Sequence, residues 1–126
     1  MEKFSINHND CYINESNNSY EIFLMILVHK LISGKWKILI LWYLCKEPLR
    51  FSDLKRKLPN VTQKMLTNQL RSLEEDNLIY RKVYPVVPPK VEYGLTEVGE
   101  KIIPVLQAMH NYGEEYLDKM DGEIKI

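Results

Sequence analysis

Cysteine is nearly absent from this chain: Cys11 and Cys45 are the only two. Two thiols cannot form the disulfide framework of a small secreted domain. No basic n-region with a cleavage site is evident either, so a reduced, cytoplasmic setting is expected. Long apolar runs are lacking. Ile22–Val28 has seven residues and Ile38–Cys45 eight, far short of the roughly 20 that span a bilayer, so no membrane partner is expected. Histidine is scattered singly at His8, His29 and His110, which offers no converging metal ligands. There is no glycine-rich phosphate loop, nucleophile motif or close acid pair. An enzyme is not expected, and neither is a metal or cofactor.

Net charge is lacking too, with 17 Lys and Arg against 17 Asp and Glu. On its own, that argues against a nucleic-acid partner. The distribution reverses the argument. Residues 49–91 hold nine basic side chains against four acids, whereas residues 1–33 hold two against four and residues 102–126 two against five. A basic module therefore lies between acidic ends, and a local patch is what attracts phosphates.

What is present fits one domain, since 126 residues supply a single modest core. Residues 1–18 are Asn-rich and without period, and read as an arm preceding a domain over 19–126. Helix signals start at Asn18/Ser19, and "YEIFLMILVHKLI" is apolar nearly all round, so it must be covered on more than one side. Gly34 breaks the pattern, and a second buried helix runs to the residues before Pro48. After a short extended "LRF", Ser52 is the expected cap of "DLKRKL", whose Phe51, Leu54 and Leu58 share a face. Thr62 caps the next helix, over 63–76. The hairpin and a last helix over 96–120 complete the order α-α-β-α-α-β-β-α. This is mainly α with a small antiparallel sheet, a winged helix-turn-helix with helical extensions at both ends.

In the helix over 63–76, Leu66, Leu70 and Leu73 form an apolar stripe at i, i+4, i+7. Lys64, Asn68 and Arg71 lie opposite, with Thr67 at the flank and Gln63 in the first turn. No acid appears before Glu74. These side chains can donate to base edges and phosphates, and the helix dipole adds positive potential at that end. A solvated outer face is the plainer reading of such a helix taken alone. The preceding basic helix and short turn favour the DNA reading, because they give helix-turn-helix spacing. Arg50, Lys55, Arg56 and Lys57 are then expected on the DNA backbone. Residues 79–95 alternate around Pro85, Pro88 and Pro89, which cannot extend a ladder. A proline-tipped hairpin carrying Lys90, directly after such a helix, reads as a wing.

The stretch 31–106 closely resembles the HxlR-type family of bacterial winged-helix regulators, within the MarR-like superfamily. The "GKW" at 34–36, "RFSDLKRKLP" at 50–59, "LRSLEEDNL" at 70–78, "VYPVVPPKVEYGLT" at 83–96 and "PVL" at 104–106 occur together in that order. The resemblance covers about 60% of the chain. It implies a homodimeric transcriptional regulator that binds double-stranded DNA, with the second helix of the motif in the major groove. Members that sense oxidants carry a Cys early in the first helix. That place falls near Phe23 here, and residues 12–44 contain no Cys.

Cys11 is the remaining redox candidate. No Lys, Arg or helix start beside it would depress its pKa, so a plain arm residue is the preferred reading. Cys45 reads as a small hydrophobe. In the last helix, Ile102, Leu106, Met109, Gly113, Tyr116 and Met120 repeat at 4, 3, 4, 3, 4, the spacing of a helix–helix seam. Together with Phe23, Leu27 and Leu31 in 19–32, they are the expected dimer interface, and Pro104 is expected to kink the helix. A small-molecule effector has room among the aromatic residues but no assigned site. The rival function is a winged helix used for protein–protein contact.

Overall fold

The computed structural model describes residues 18–120. The chain divides into two compact units, 1–33 and 34–126. The described part of the first is one helix, α1 (Asn18–Ile32). Its side chains Phe23, Met25 and Ile26 stand 56–60% exposed in the single chain, an unusual amount of apolar surface for one helix to leave in water.

The second unit opens at Gly34, with φ 92° and ψ 158°, a conformation that side chains resist. It continues as α2 (Lys35–Leu44), β1 (Leu49–Arg50), α3 (Phe51–Lys57), α4 (Gln63–Glu75), β2 (Ile79–Tyr84), β3 (Lys90–Leu95), α5 (Glu97–Glu100) and α6 (Ile103–Lys119). The sheet is antiparallel in the order β1-β3-β2. Leu49 pairs with Tyr93, and Ile79 with Leu95. Ile40 and Leu41 of α2, Leu54 of α3, Leu66, Leu70 and Leu73 of α4, and Ile79 of β2 are at most 1–2% exposed and form the core. This is the winged-helix architecture expected from the pattern.

Two local expectations are corrected. Ser52 does not cap α3; the helix starts at Phe51 with Arg50 as its N-cap. Asp53 takes the capping role, its Oδ2 accepting from the Arg50 N–H at 3.2 Å. A carboxylate three residues inside the helix reaches back to the N–H of the cap residue, the N3 half of a capping box. The last helix is also two helices. Thr96 caps α5 by accepting from the Gly99 N–H at 2.9 Å, and α6 restarts after Lys101 with Pro104 in its first turn. Proline lacks an N–H to bond backwards, so it is tolerated at a helix start and here marks one. Close packing fixes α5: a side chain at Gly99 would run into the Leu78 carbonyl.

The joint between α4 and β2 is a Schellman cap. Asn77 sits at φ 60°, its N–H donates to Glu74 O at 3.0 Å, and the Leu78 N–H donates to Leu73 O at 3.0 Å. Asn and Gly tolerate this left-handed conformation, and β-branched residues do not. Asn77→Gly is expected to leave stability within about 0.5 kcal/mol, while Asn77→Val should lose roughly 1–2 kcal/mol. Urea unfolding of the two variants checks this; equal stability would mean the cap does not constrain the joint.

Candidate nucleic-acid interface

The turn between α3 and α4 is held from inside by Val61, 2% exposed, whose N–H donates to Leu58 O at 3.0 Å. Thr62 then caps α4 through its Oγ1, which accepts from the Met65 N–H at 3.1 Å. With Leu66, Leu70 and Leu73 buried, the helix can rotate only one way. Gln63, Lys64, Asn68 and Arg71 are exposed on its outer side, and Thr67 is half-buried beside them. The first turn holds no acid, so the positive end of the helix dipole is left unopposed there.

The basic run on α3 is less uniform than its sequence suggests. Arg56 pairs with Asp53 at 2.9 Å, and the Lys57 ammonium lies 5.5 Å from the centre of the Tyr43 ring. Lys55 is half-buried. The Arg56 pair is exposed, so it is weak and can open toward a phosphate. Arg50 is exposed at the start of α3, opposite Glu92 in the sheet.

The hairpin keeps its shape beyond the core through Glu92. Its Oε2 accepts from the Tyr84 hydroxyl at 2.8 Å and its Oε1 from the Tyr80 hydroxyl at 3.4 Å. Lys82 covers the Tyr84 ring at 4.8 Å. Burial, then the neighbouring Glu92 charge, pushes the Tyr80 phenol up from its ordinary pKa. Lys90 opens β3 opposite Tyr84 and is exposed at the foot of the tip, where Val87 is wholly exposed.

Sequence reasoning missed Arg81. Thr67, Arg71, Glu74 and Glu75 of α4 form one open cleft with Arg81 and Tyr93 of the sheet. Arg81 pairs in register with Tyr93, on the face that carries Ile79 into the core. Strand alternation alone would have placed it there.

The expected seam on α6 divides. Leu106, at 2% exposure, is covered by its own chain, and Ile102 is half-buried as the N-cap of α6. From Gln107 onward every residue to Met120 is exposed, including Met109, Gly113 and Tyr116. The stripe is continuous, but burial of its side chains ends after the first turn, and the contact with the body beyond it is the stacking of His110 on Trp42 of α2, with ring centres 5.3 Å apart. On α1, Phe23 and Leu27 are exposed and Leu31 is half-buried. Cys45 is half-buried, and burial pushes its thiol pKa up, away from reactivity. Cys11 lies outside the described residues. Among those residues no helix is long and apolar enough to cross a membrane.

Residues 31–121 match the family model described as HxlR-like helix-turn-helix. The chain belongs to this family. Its relatives are transcriptional regulators of the HTH type, a non-enzymatic group. YkvN of Bacillus subtilis, named an HTH-type transcriptional regulator, is 48% identical over 99 residues, covering 77% of this chain and 84% of YkvN. The solved structure of the HTH-type transcriptional regulator YtcD is 46% identical, with a TM-score of 0.73 over 75% of this chain and 97% of that one. The redox regulator HypR in its reduced form is 40% identical, with a TM-score of 0.74 over 77% of this chain and 96% of that one. The HxlR-like segment thus holds the whole helix-turn-helix, the wing and all of α6.

Proposed function

We propose that this HTH-type regulator acts as a cytoplasmic homodimer that binds a pseudo-palindromic operator in duplex DNA. In this reading α4 lies in the major groove, and the Lys90 wing reaches the neighbouring backbone. One observation carries the reading: α4 buries Leu66, Leu70 and Leu73 and leaves Gln63, Lys64, Asn68 and Arg71 exposed, with no acid in its first turn. Side chains of these types bridge base edges and phosphates, and the tight turn onto α3 presents them end-on. Arg50 and the Lys55–Lys57 run flank them for backbone contact. The dimer is supported by the apolar faces of α1 and α6, each of which is left wet in the single chain. A two-fold would place the two α4 helices about 34 Å apart, one turn of DNA.

Lys64→Ala should weaken binding to the operator by about 1–3 kcal/mol and relax its sequence preference, as loss of a base contact does. Lys90→Ala should weaken all duplexes alike. Fluorescence anisotropy against operator and scrambled duplexes separates the two effects. Unchanged affinity in both variants would remove α4 and the wing from the interface.

A further inference from the structure

The cleft between α4 and β2 holds two arginines from different elements, and both are exposed. Neither guanidinium has an ion pair or hydrogen bond with another described residue. This is notable because Glu74 and Glu75 line the same cleft. Glu75 stands four residues after Arg71, the less favourable order for a helical ion pair, since the acid lies on the C-terminal side. Arg81 projects from a strand whose backbone is fixed by pairing to β3. Two rigidly based, unpaired planar cations lining one hollow, with Thr67 in the same lining, fit a tetrahedral oxyanion, which a guanidinium fork can bind through two oxygens.

We propose that Arg71 and Arg81 together clamp one phosphodiester of the DNA backbone at the edge of the major groove, with the Thr67 hydroxyl donating to the same phosphate. The clamp rests on the DNA reading above. It gives Arg71 a different role from Lys64 and Asn68, positioning the duplex instead of reading its bases. Glu74 and Glu75 border the cleft and repel a second phosphate, so the clamp takes a single one and fixes the register of α4 in the groove. Arg81 thereby joins recognition helix to wing through the nucleic acid.

The experiment measures affinity of wild type, Arg81→Ala and Arg81→Lys for operator and scrambled duplexes across a salt series. Arg81 is exposed, and circular dichroism checks that the variants fold. Arg81→Ala should lose roughly tenfold on both duplexes, and the slope of log affinity against log salt should fall by about one per half-site. Arg81→Lys should keep the slope and lose only the affinity due to the fork. A loss confined to the operator would make Arg81 a base reader and overturn the clamp, as would an unchanged slope. Titrating inorganic phosphate into DNA-free protein tests the other source of this chemistry. Saturable submillimolar binding with DNA affinity unchanged in Arg81→Ala would assign the cleft to a small phosphorylated ligand. If Lys64→Ala weakens binding and Arg81→Ala does not, the clamp alone fails; if wild type binds no duplex, both readings fail.

Discussion

Met109→Glu should convert the protein to monomers and abolish tight operator binding while leaving each chain folded. Met109 is 42% exposed in the single chain, so a carboxylate there costs the isolated fold little. At a two-fold interface the same change counts twice. Each copy loses the burial of a large apolar side chain, about 1.5–3 kcal/mol, and gains an unpaired charge that costs several kcal/mol more to bury. The sum exceeds what a moderate dimer can absorb. A monomer also holds only one half-site, so affinity should fall by at least about a hundredfold, since roughly 1.4 kcal/mol corresponds to each factor of ten. Sedimentation and anisotropy on the same preparation read both consequences. A variant that stays dimeric would move the interface off α6. Leu106→Glu is the wrong test, because Leu106 is buried within its own chain and its loss would damage the fold.

The second large effect concerns the inner side of α4. Leu70→Ala should cost about 2–5 kcal/mol, the range for deleting most of a buried leucine where neighbours cannot close the cavity. Leu70 is 1% exposed, between Leu66 and Leu73 at 0%. That is a large share of the roughly 5–15 kcal/mol that holds a small domain together. Asn68→Ala, on the opposite side of the same helix and exposed, should change stability by less than about 0.5 kcal/mol. Urea unfolding monitored by circular dichroism gives both values. A loss below about 1 kcal/mol at Leu70 would mean that α4 is not anchored by its leucine stripe.

Much of this could be read from period alone. The i, i+4, i+7 leucines of α4 set which side of that helix is buried, and the alternation around Pro85, Pro88 and Pro89 marks both strands of the hairpin. Other features depend on where the core ends, which periodicity does not encode. Leu106 and Met109 belong to one stripe, yet the first is buried and the second is exposed, although the neighbouring His110 still stacks on Trp42 of α2. The break at Lys101 needed the Gly99 approach to the Leu78 carbonyl, a contact between residues 21 apart in sequence. Arg81 looked like an ordinary strand cation until β2 was set against α4. The wing depends on Glu92, whose two tyrosine partners lie eight and twelve residues away. Ser52 and Asp53 are both residue types that open helices, and the helix starts early enough for Asp53 to reach back to the Arg50 N–H, a choice of start that sequence does not rank.

The central claim is that an electrically neutral chain carries a local duplex-DNA interface on α4 and the wing. The most direct measurement is the salt dependence of affinity for a duplex selected by this protein from random DNA, compared with a scrambled duplex of equal length. A dimer making on the order of 6–10 phosphate contacts should show log affinity falling steeply with log salt, by about 0.9 per contact. The selected duplex should bind at least about a thousandfold more tightly than the scrambled one. A flat salt response, or equal affinity for both sequences, would contradict the account and favour a winged helix that binds protein.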